Sequence, residues 1–269
     1  MKEKYCFIVV NYNNSRLSIS CVKSVLEQTL DNVDIIIVDN NSAIEEKQIL
    51  QELEMQNNID IIYLDENIGY FPALVKGQKL AYTKYNYTYL VLANNDLIFS
   101  PDFVVALSKL KLENNVMVVS PDIVTIDGIH QNPHFVHKLS FLRKLLYSLY
   151  YRHYNISLIM NFVLNALSLK RAKKNKPDYD KEQKIYLGFG ACFILTRFFM
   201  SNVKYVDDKS FLMGEEQLLM RQVEVHYGII YYVPALKVTH LDSATFKKMP
   251  SRFSYECEKR AYQLYKHYL

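Results

Sequence analysis

The sequence predicts an α/β domain with a mostly parallel central sheet covered by helices on both faces. Short apolar runs rich in Ile, Val and Tyr recur along the first half of the chain, and Asn, Asp or Pro bounds each of them. The intervals between these runs have helical spacing, and alternation of strand and helix is typical of parallel sheets. The predicted strands are residues 5–10, 34–38, 60–64, 87–92 and 116–119.

Two of the intervening helices can be placed from their apolar stripes. One stripe follows Ser15, a candidate N-cap, and the other follows Ser100 and Pro101. Their apolar members are Ile19, Val22, Val25 and Leu26 in the first helix, and Phe103, Leu107 and Leu110 in the second.

The regular alternation ends near residue 120. A Leu-, Tyr- and Phe-rich segment at 139–169 is predicted to be helical, and the basic run at 170–177 is predicted to be a loop. Strand-like sequence resumes at 186–195 and 229–233, and a helix is expected at 252–268. We therefore expect one domain in three parts: a nucleotide-binding half at 1–127, a basic amphipathic helical insertion at 128–185, and an acceptor-side half with a C-terminal helix at 186–269.

Charge is distributed by region. The formal net charge of the 269 residues is only +4, so no nucleic acid partner is expected. No acidic residue occurs between Asp127 and Asp178, however. This favours peripheral contact with an anionic membrane; the alternative is a helical pair that closes over the acceptor side of the core, with a solvated basic loop. The cations of this stretch are Lys138, Arg143, Lys144, Arg152, Lys170, Arg171, Lys173, Lys174 and Lys176.

The cysteines and the N-terminus indicate the compartment. Cys6, Cys21, Cys192 and Cys257 have no short paired spacing, which favours free buried thiols over a zinc site or a disulfide framework. The apolar run at 5–10 is too short for a signal-peptide core. These features predict a cytoplasmic protein, with the inner face of the cell membrane as an option.

Polar residues at the ends of predicted strands are candidates for chemistry. Asp96 ends the run 87–92 with two asparagines before it, and its carboxylate suits Mg²⁺ or Mn²⁺ that shares its ligands with a diphosphate. His240, which follows a later apolar run, is a candidate second ligand because Mn²⁺ accepts imidazole; a structural role for this histidine is the alternative.

Asp39 is a candidate for nucleotide binding. It follows the run 34–38, where a carboxylate can accept hydrogen bonds from a ribose or a base. The alternative is an Asx-turn or a helix cap for the segment that begins near Ser42. A dehydrogenase is disfavoured because the first strand is followed by asparagines and not by a glycine-rich turn.

Glu215 and Glu216 are candidates for a general base. Both precede a helical segment, where acidic residues often serve only to stabilise the helix start. Beside a nucleotide-sugar site, however, a carboxylate could take the proton of an attacking sugar hydroxyl.

Five segments form a recognisable order along the chain. They are Val9-Val10-Asn11-Tyr12-Asn13, Val38-Asp39-Asn40-Asn41-Ser42, Asn67-Ile68-Gly69-Tyr70, Asn94-Asn95-Asp96 and the stretch from Val206 to Glu216. In this order they resemble the family 2 glycosyltransferases of the GT-A fold, particularly the bacterial branch with rhamnosyltransferases and capsule or O-antigen glycosyltransferases. The resemblance runs from residue 5 to about residue 245.

The resemblance implies a Rossmann-like sheet and assigns roles to individual residues. It places Asp96 in the DXD-like metal motif, to which His240 remains a separate candidate ligand, and it places Glu216 at the base position, while Glu215 stays an alternative. Only the last position of the DXD-like motif is acidic here, and Glu216 and Leu218 stand where relatives carry aspartate. The implied nucleotide contacts are Asn11, Asn13, Asp39, Asn67, Gly69, Asn95 and Asp96.

The predicted function is inverting transfer of a sugar from a UDP- or dTDP-sugar to a hydroxyl of a growing surface polysaccharide, with Mn²⁺ or Mg²⁺ as cofactor. The acceptor would be a glycan, with a polyprenyl-diphosphate-linked glycan as one option. A sugar-1-phosphate nucleotidyltransferase is a rival, although it would require a Gly-rich, Arg-containing loop after the first strand, and none is present. A non-catalytic glycan- or membrane-binding relative is the second rival.

Overall fold

A computed structural model describes residues 3–28, 32–168, 178–241 and 251–269. The strands are β1 Tyr5–Asn11, β2 Val33–Asp39, β3 Ile59–Tyr63, β4 Tyr89–Asn94, β5 Leu97–Phe99, β6 Val116–Thr125, β7 Gln183–Ile185, β8 Cys192–Thr196 and β9 Ile229–His240. The helices are α1 Ser15–Leu26, α2 Ile44–Gln51, α3 Tyr70–Lys84, α4 Phe103–Ser108, α5 Phe141–Tyr150, α6 Tyr154–Ser168, α7 Arg197–Asn202, α8 Glu215–Val225 and α9 Ser251–Tyr265.

The strands form one sheet in the order β3-β2-β1-β4-β8-β6-β9-β5, and β7 pairs with β9. The first four strands are parallel to one another, as the sequence predicts. The predicted strand at 116–119 is part of β6, which runs in the same direction as the first four strands and pairs in parallel with β9, although the antiparallel strand β8 separates it from β4. Strand β8 runs against both β4 and β6, so it reverses the direction of the sheet at its centre.

Helices cover both faces of the sheet, as predicted. One core cluster packs α1, α2 and α4 onto the sheet through residues such as Val22, Leu50 and Phe103. The other packs α3, α7 and α8 onto the opposite face through residues such as Leu74, Phe199 and Leu219. The continuous apolar runs of β1 and β2 are buried along their whole length, because both faces are covered.

Three local predictions need correction. Ser15 is the first residue of α1 and not its cap, because Asn14 holds the cap position. The strand predicted at 186–195 begins only at Cys192; Leu187 instead pairs in isolation with Phe135. The helical segment at 139–169 is two helices, α5 and α6, separated at 151–153.

Other predictions are confirmed or untested. The C-terminal helix is present as α9, and all four cysteines are free and buried. The predicted basic loop at 170–177 lies outside the described residues, and nothing tests the division into three parts. No helix in the described ranges has both the length and the apolar character needed to cross a membrane.

Candidate active site

The carboxyl ends of β1, β2 and β4 meet at one edge of the sheet and hold a buried polar network. Asn11, the last residue of β1, is fully buried. Its amide nitrogen donates to Asp39 Oδ2 at 2.8 Å and to Ser42 Oγ at 3.1 Å, and its Oδ1 accepts from Ser18 Oγ at 2.7 Å. Asn95 Nδ2 also donates to Asn11 Oδ1, at 3.3 Å. Asn11 therefore ties together the residues around the predicted nucleotide contacts.

The same network fixes the Asp39 carboxylate. The side chain is fully buried, and Oδ1 accepts from the backbone N–H of Ser42 at 3.0 Å. This is the local turn bond that the alternative interpretation of Asp39 predicts. Both oxygens keep further lone pairs, but the carboxylate is closed off from solvent, so a nucleotide contact would require the covering loop at 40–42 to shift. Asn13 lies at the exposed rim, where its Oδ1 accepts from Ala43 N at 2.8 Å.

A second loop joins this edge through Asn40. Its amide donates to Asn67 Oδ1 at 2.9 Å and to the Gly69 carbonyl at 3.1 Å, and its Oδ1 accepts from Ile68 N at 2.9 Å. Gly69 has a φ of +97°, and a Cβ there would lie 2.2 Å from the Phe211 carbonyl oxygen. Only glycine can occupy this position. The loop at 67–70 is thereby pressed against the segment that leads into α8.

Asp96 and His240 are brought together by strand pairing. Antiparallel pairing of β5 with β9 sets Leu97 opposite His240, and the Leu241 N–H donates to the Asp96 carbonyl at 2.9 Å. As a result His240 Nε2 lies 3.2 Å from Asp96 Oδ2, and both side chains are buried. The sequence prediction that these two residues form one site is consistent with this geometry.

The hydrogen bonds of the histidine indicate what this pair can hold. The Gln131 side-chain amide lies 2.8 Å from His240 Nδ1, so Nδ1 has a partner and Nε2 is the nitrogen that faces the carboxylate. Without a proton, Nε2 is an acceptor like the carboxylate oxygen. Two acceptors at this distance repel unless a proton or a cation lies between them. Asp96 Oδ1 is also buried and has no hydrogen-bond partner. These donors fit a divalent cation that accepts oxygen and imidazole ligands.

The described residues contain no group of three or more His, Cys, Asp or Glu side chains that could hold a metal ion. The Asp96–His240 pair would therefore supply only part of a coordination shell. Cations such as Mg²⁺ and Mn²⁺ commonly complete their shells with phosphate oxygens and water, so a bound diphosphate would be needed to complete this site.

Glu216 lies at the start of α8, as predicted, and faces the segment between Leu187 and β8. Its Oε1 accepts from the Gly190 N–H at 3.1 Å, and a Cβ on Gly190 would lie only 2.5 Å from that oxygen. The adjoining Ala191 carbonyl accepts from Asn94 N at 2.9 Å, and the Phe189 ring lies 6.1 Å from the His240 ring. The segment 189–191 thus contacts Glu216, His240 and the end of β4 that leads to Asp96.

The two glutamates have different environments. Desolvation raises the pKa of Glu216, while its bonds to backbone N–H groups partly offset this effect. Burial, and then the charge of Glu216, raise the pKa of Glu215 to about 8. Glu215 acts electrostatically on Cys257 of α9 and Glu216 acts on Tyr265 of the same helix, so both charges are felt on α9. A raised pKa is what a carboxylate base requires to accept a proton near neutral pH.

Sequence reasoning missed several residues of this site. Gln131 orients His240 from a loop and carries no sequence signal. Gly190 was detectable, because a glycine inside a strand-like run often marks close approach of another group. Tyr70 was also missed: its hydroxyl is buried without a hydrogen-bond partner, and desolvation and then the charges of Cys192, Glu215, Asp96 and Glu216 raise its pKa.

The sheet order and the helices on both faces of the sheet define a GT-A fold. The model of Glycosyl transferase family 2 matches residues 6–199, and the chain belongs to this family. It is similar to Glycosyltransferase GlyG of Streptococcus pneumoniae serotype 4 (strain ATCC BAA-334 / TIGR4), with 27% identity over 135 residues, 50% of this chain and 44% of that relative. The chain therefore matches less than half the length of this relative.

Solved structures share the fold at low identity. TarS 1-349 of S. aureus has a TM-score of 0.57 at 12% identity and covers 88% of this chain and 60% of its own. GalNAc-T7 with UDP, GalNAc and Mn²⁺ has a TM-score of 0.62 at 13% identity, over 97% of this chain and 48% of its own. The mannosyltransferase PcManGT of Pyrobaculum calidifontis, in complex with GDP-Man and Mn²⁺, has a TM-score of 0.58 at 12% identity, over 97% and 70%.

Proposed function

We propose that this protein is an inverting glycosyltransferase that moves a sugar from a UDP- or dTDP-sugar to a hydroxyl of a growing surface polysaccharide. The observation that supports this best is the buried Asp96–His240 pair, with its unpartnered carboxylate oxygen, next to the segment that contacts Glu216. Family membership supports the reaction class. The identities of the nucleotide and of the acceptor are further parts of the proposal.

On the donor side, Asp39 accepts hydrogen bonds from the ribose or the base, and Asn11 holds its carboxylate in place. Asn13, Asn67, Gly69 and Asn95 line the same edge and complete the proposed nucleotide contacts. Asp96 and His240 hold the Mn²⁺ or Mg²⁺. When bound, this ion neutralises charge that develops on the leaving diphosphate. GalNAc-T7 and PcManGT were both solved with Mn²⁺, which supports a divalent cofactor here.

On the acceptor side, Glu216 removes the proton from the attacking hydroxyl as the new bond to the anomeric carbon forms and the bond to the diphosphate breaks. The Gly190 N–H fixes the carboxylate and leaves its second oxygen for the acceptor. Glu215 is the alternative base, and the hydrogen bond from the Gly190 segment favours Glu216.

The acceptor is proposed to be a polyprenyl-diphosphate-linked glycan at the cytoplasmic face of the membrane. Helices α5 and α6 support this choice, since they expose apolar side chains in a region without acidic residues. Such helices lie in membrane interfaces. The exposed side chains are Phe141, Leu142, Leu145, Leu146 and Leu149 on α5, and Leu158, Ile159, Phe162 and Val163 on α6.

The test is a thermal-shift screen of the purified protein against UDP-, GDP- and dTDP-sugars with Mn²⁺ or with a chelator, followed by assay of released nucleoside diphosphate. We expect one nucleotide class to raise the melting temperature only with metal, and release to require the same metal. Metal-dependent binding without release of nucleoside diphosphate would identify a non-catalytic relative instead. Release of inorganic pyrophosphate when the protein is given a nucleoside triphosphate and a sugar 1-phosphate would identify a nucleotidyltransferase.

A further inference from the structure

A cavity of about 440 Å³ lies between the start of α6 and the face of α9, apart from the residues of the candidate active site. Two cations and a histidine line it, together with one carboxylate. Its lining residues are His153, Tyr154, Asn155, Arg252, Glu256 and Lys259. The balance of charge favours an anionic occupant.

The cations are held in place by aromatic rings and backbone. The Arg252 guanidinium lies over the Tyr154 ring at 5.8 Å. Lys259 Nζ donates to the Arg152 carbonyl at 3.3 Å and lies over the Tyr255 ring at 5.9 Å. Among the ion pairs of the described residues, none involves Arg252 or Lys259. Their charges are therefore available to a ligand.

An apolar stripe begins at the cavity and runs along α6. Asn155 in the cavity wall, Ile159 and Phe162 are spaced by four and three residues, so they share one face of the helix. Ile159 is 65% exposed and Phe162 is 75% exposed. A cationic cavity at one end of an exposed apolar stripe matches an amphiphile with a negatively charged head.

We propose that this cavity binds the phosphate of an anionic phospholipid headgroup while the exposed faces of α5 and α6 enter the apolar layer of the membrane. The inference rests on the membrane contact included in the proposed function and gives it a specific site. A second copy of this chain is a poorer occupant, because pairing of two α5–α6 faces would oppose the cations Arg143, Lys144 and Arg152, and Glu256 is the single carboxylate among the residues that line the cavity. An anionic membrane supplies the complementary charge.

Helix α9 connects this cavity to the catalytic region. Ala261 and Tyr265 pack against Gly214, which immediately precedes Glu215. At a rise of 1.5 Å per residue, Arg252 and Ala261 are about 14 Å apart along the helix axis. A headgroup held by Arg252 and Lys259 would therefore set the distance of Glu216 from the membrane surface.

The experiment is co-sedimentation of the full chain with phosphatidylcholine vesicles that contain or lack phosphatidylglycerol. The test variant is Arg252→Gln/Lys259→Gln. The control is Lys23→Gln/Lys76→Gln, which removes the same charge from exposed positions on α1 and α3. At about 1 kcal/mol for each basic residue near an anionic surface, we expect the test variant to bind phosphatidylglycerol vesicles about 30-fold more weakly. The control should change binding less than about 3-fold, since its lysines lie away from the proposed membrane face.

Further arms separate the alternatives. Arg252→Lys/Lys259→Arg should retain binding, and unchanged melting temperatures should show that all variants are folded. Equal weakening in test and control variants, or equal binding to vesicles without phosphatidylglycerol, would overturn the site. If inorganic phosphate alone raises the melting temperature of the wild-type protein but not of the test variant, the cavity binds a soluble anion and not a lipid. If the protein dimerises but does not bind vesicles, the apolar stripe is an interface between two copies of the chain.

Donor turnover without lipid distinguishes this inference from the proposed function. The test variant should release nucleoside diphosphate at the wild-type rate, because neither substituted residue lies in the candidate active site. If the wild-type protein binds anionic vesicles through this cavity but never turns over a nucleotide sugar, the proposed function fails and the phosphate site stands.

Discussion

The strand-end network around Asn11 and the helical pair α5–α6 differ in which side chains they bury and which they expose. At the strand ends, polar groups are buried and hydrogen-bonded to one another across three strands. On α5 and α6, large apolar groups are exposed, with no buried residue on α5. In the strand-end network the polar groups find hydrogen-bond partners within the chain. Such a fixed arrangement suits the accurate positioning of a small polar ligand. On α5 and α6 no other part of the described chain covers the apolar side chains, so this face suits contact with a membrane or with another molecule.

The largest effect should come from Asp96, the proposed metal ligand at the strand ends. Asp96→Asn keeps the shape but removes the negative charge, so we expect transfer and metal-dependent donor binding to fall at least 10³-fold, the scale of losing a major electrostatic contribution to the transition state. Asp102→Asn, at an exposed position nearby, is the control and should have no effect. Titration calorimetry with Mn²⁺ and nucleotide would measure binding, and retained Mn²⁺-dependent turnover in Asp96→Asn would rule out the assignment.

Glu216→Gln should lower kcat by roughly 10²-fold or more while donor affinity and melting temperature stay near wild type, because the amide cannot accept the proton. Glu215→Gln is the matched variant. If it is the one that abolishes turnover, the base is Glu215, and if neither has an effect, the inverting mechanism is refuted. Since the pKa of Glu216 is raised, wild-type kcat/KM should fall on acidification at a pH above the usual range for glutamate.

The buried network can be tested directly against its exposed rim. Asn11→Ala leaves buried partners such as Asp39 and Ser18 with a lost hydrogen bond, and each unsatisfied group costs about 1–3 kcal/mol. We expect the melting temperature to drop by several degrees. Asn13→Ala, at the exposed rim, should shift it by much less. Equal shifts in calorimetric scans would mean that the network does not support the fold as described.

The opposite result is expected on α6. Ile159→Ser and Phe162→Ser remove exposed apolar surface, so we expect no loss of thermal stability together with weaker vesicle binding. A drop in melting temperature as large as that of Asn11→Ala would show that these side chains are covered in solution, and would remove the contrast between the two regions.

A further effect, on the pH dependence of stability and not on turnover, concerns Glu215. Burial raises its pKa from 4.5 to about 8, so the folded state binds the proton more tightly than the unfolded state. The stability gained in this way is complete below pH 4.5 and is lost as the pH rises towards 8. Glu215→Gln should therefore reduce the decline in melting temperature over this range. An unchanged pH profile in thermal melts would show that the carboxyl group is solvated.

Local sequence signals were sufficient for the elements and for part of the site. The apolar runs located β1 to β4 because strands buried on both faces carry continuous apolar sequence. The direction of β6 was predicted correctly, but the insertion of the antiparallel strand β8 between β4 and β6 was not, because β8 comes far later in the chain and pairing direction has no local signature. The Asp96–His240 contact arises from the register of β5 on β9, which links residues 144 positions apart. For the same reason Gln131, which orients His240 from a separate loop, could not be predicted.

The contact between Gly69 and Phe211 has a kinetic consequence. No Cβ fits between the loop at 67–70 and the segment before α8, and Tyr70 N donates to the Phe211 carbonyl at 3.0 Å. We therefore expect the two segments to shift together, so that a nucleotide sugar that orders the loop at 67–70 would also position Glu216. Initial rates should follow a compulsory order with the nucleotide sugar entering first, and nucleoside diphosphate should inhibit competitively against the donor alone.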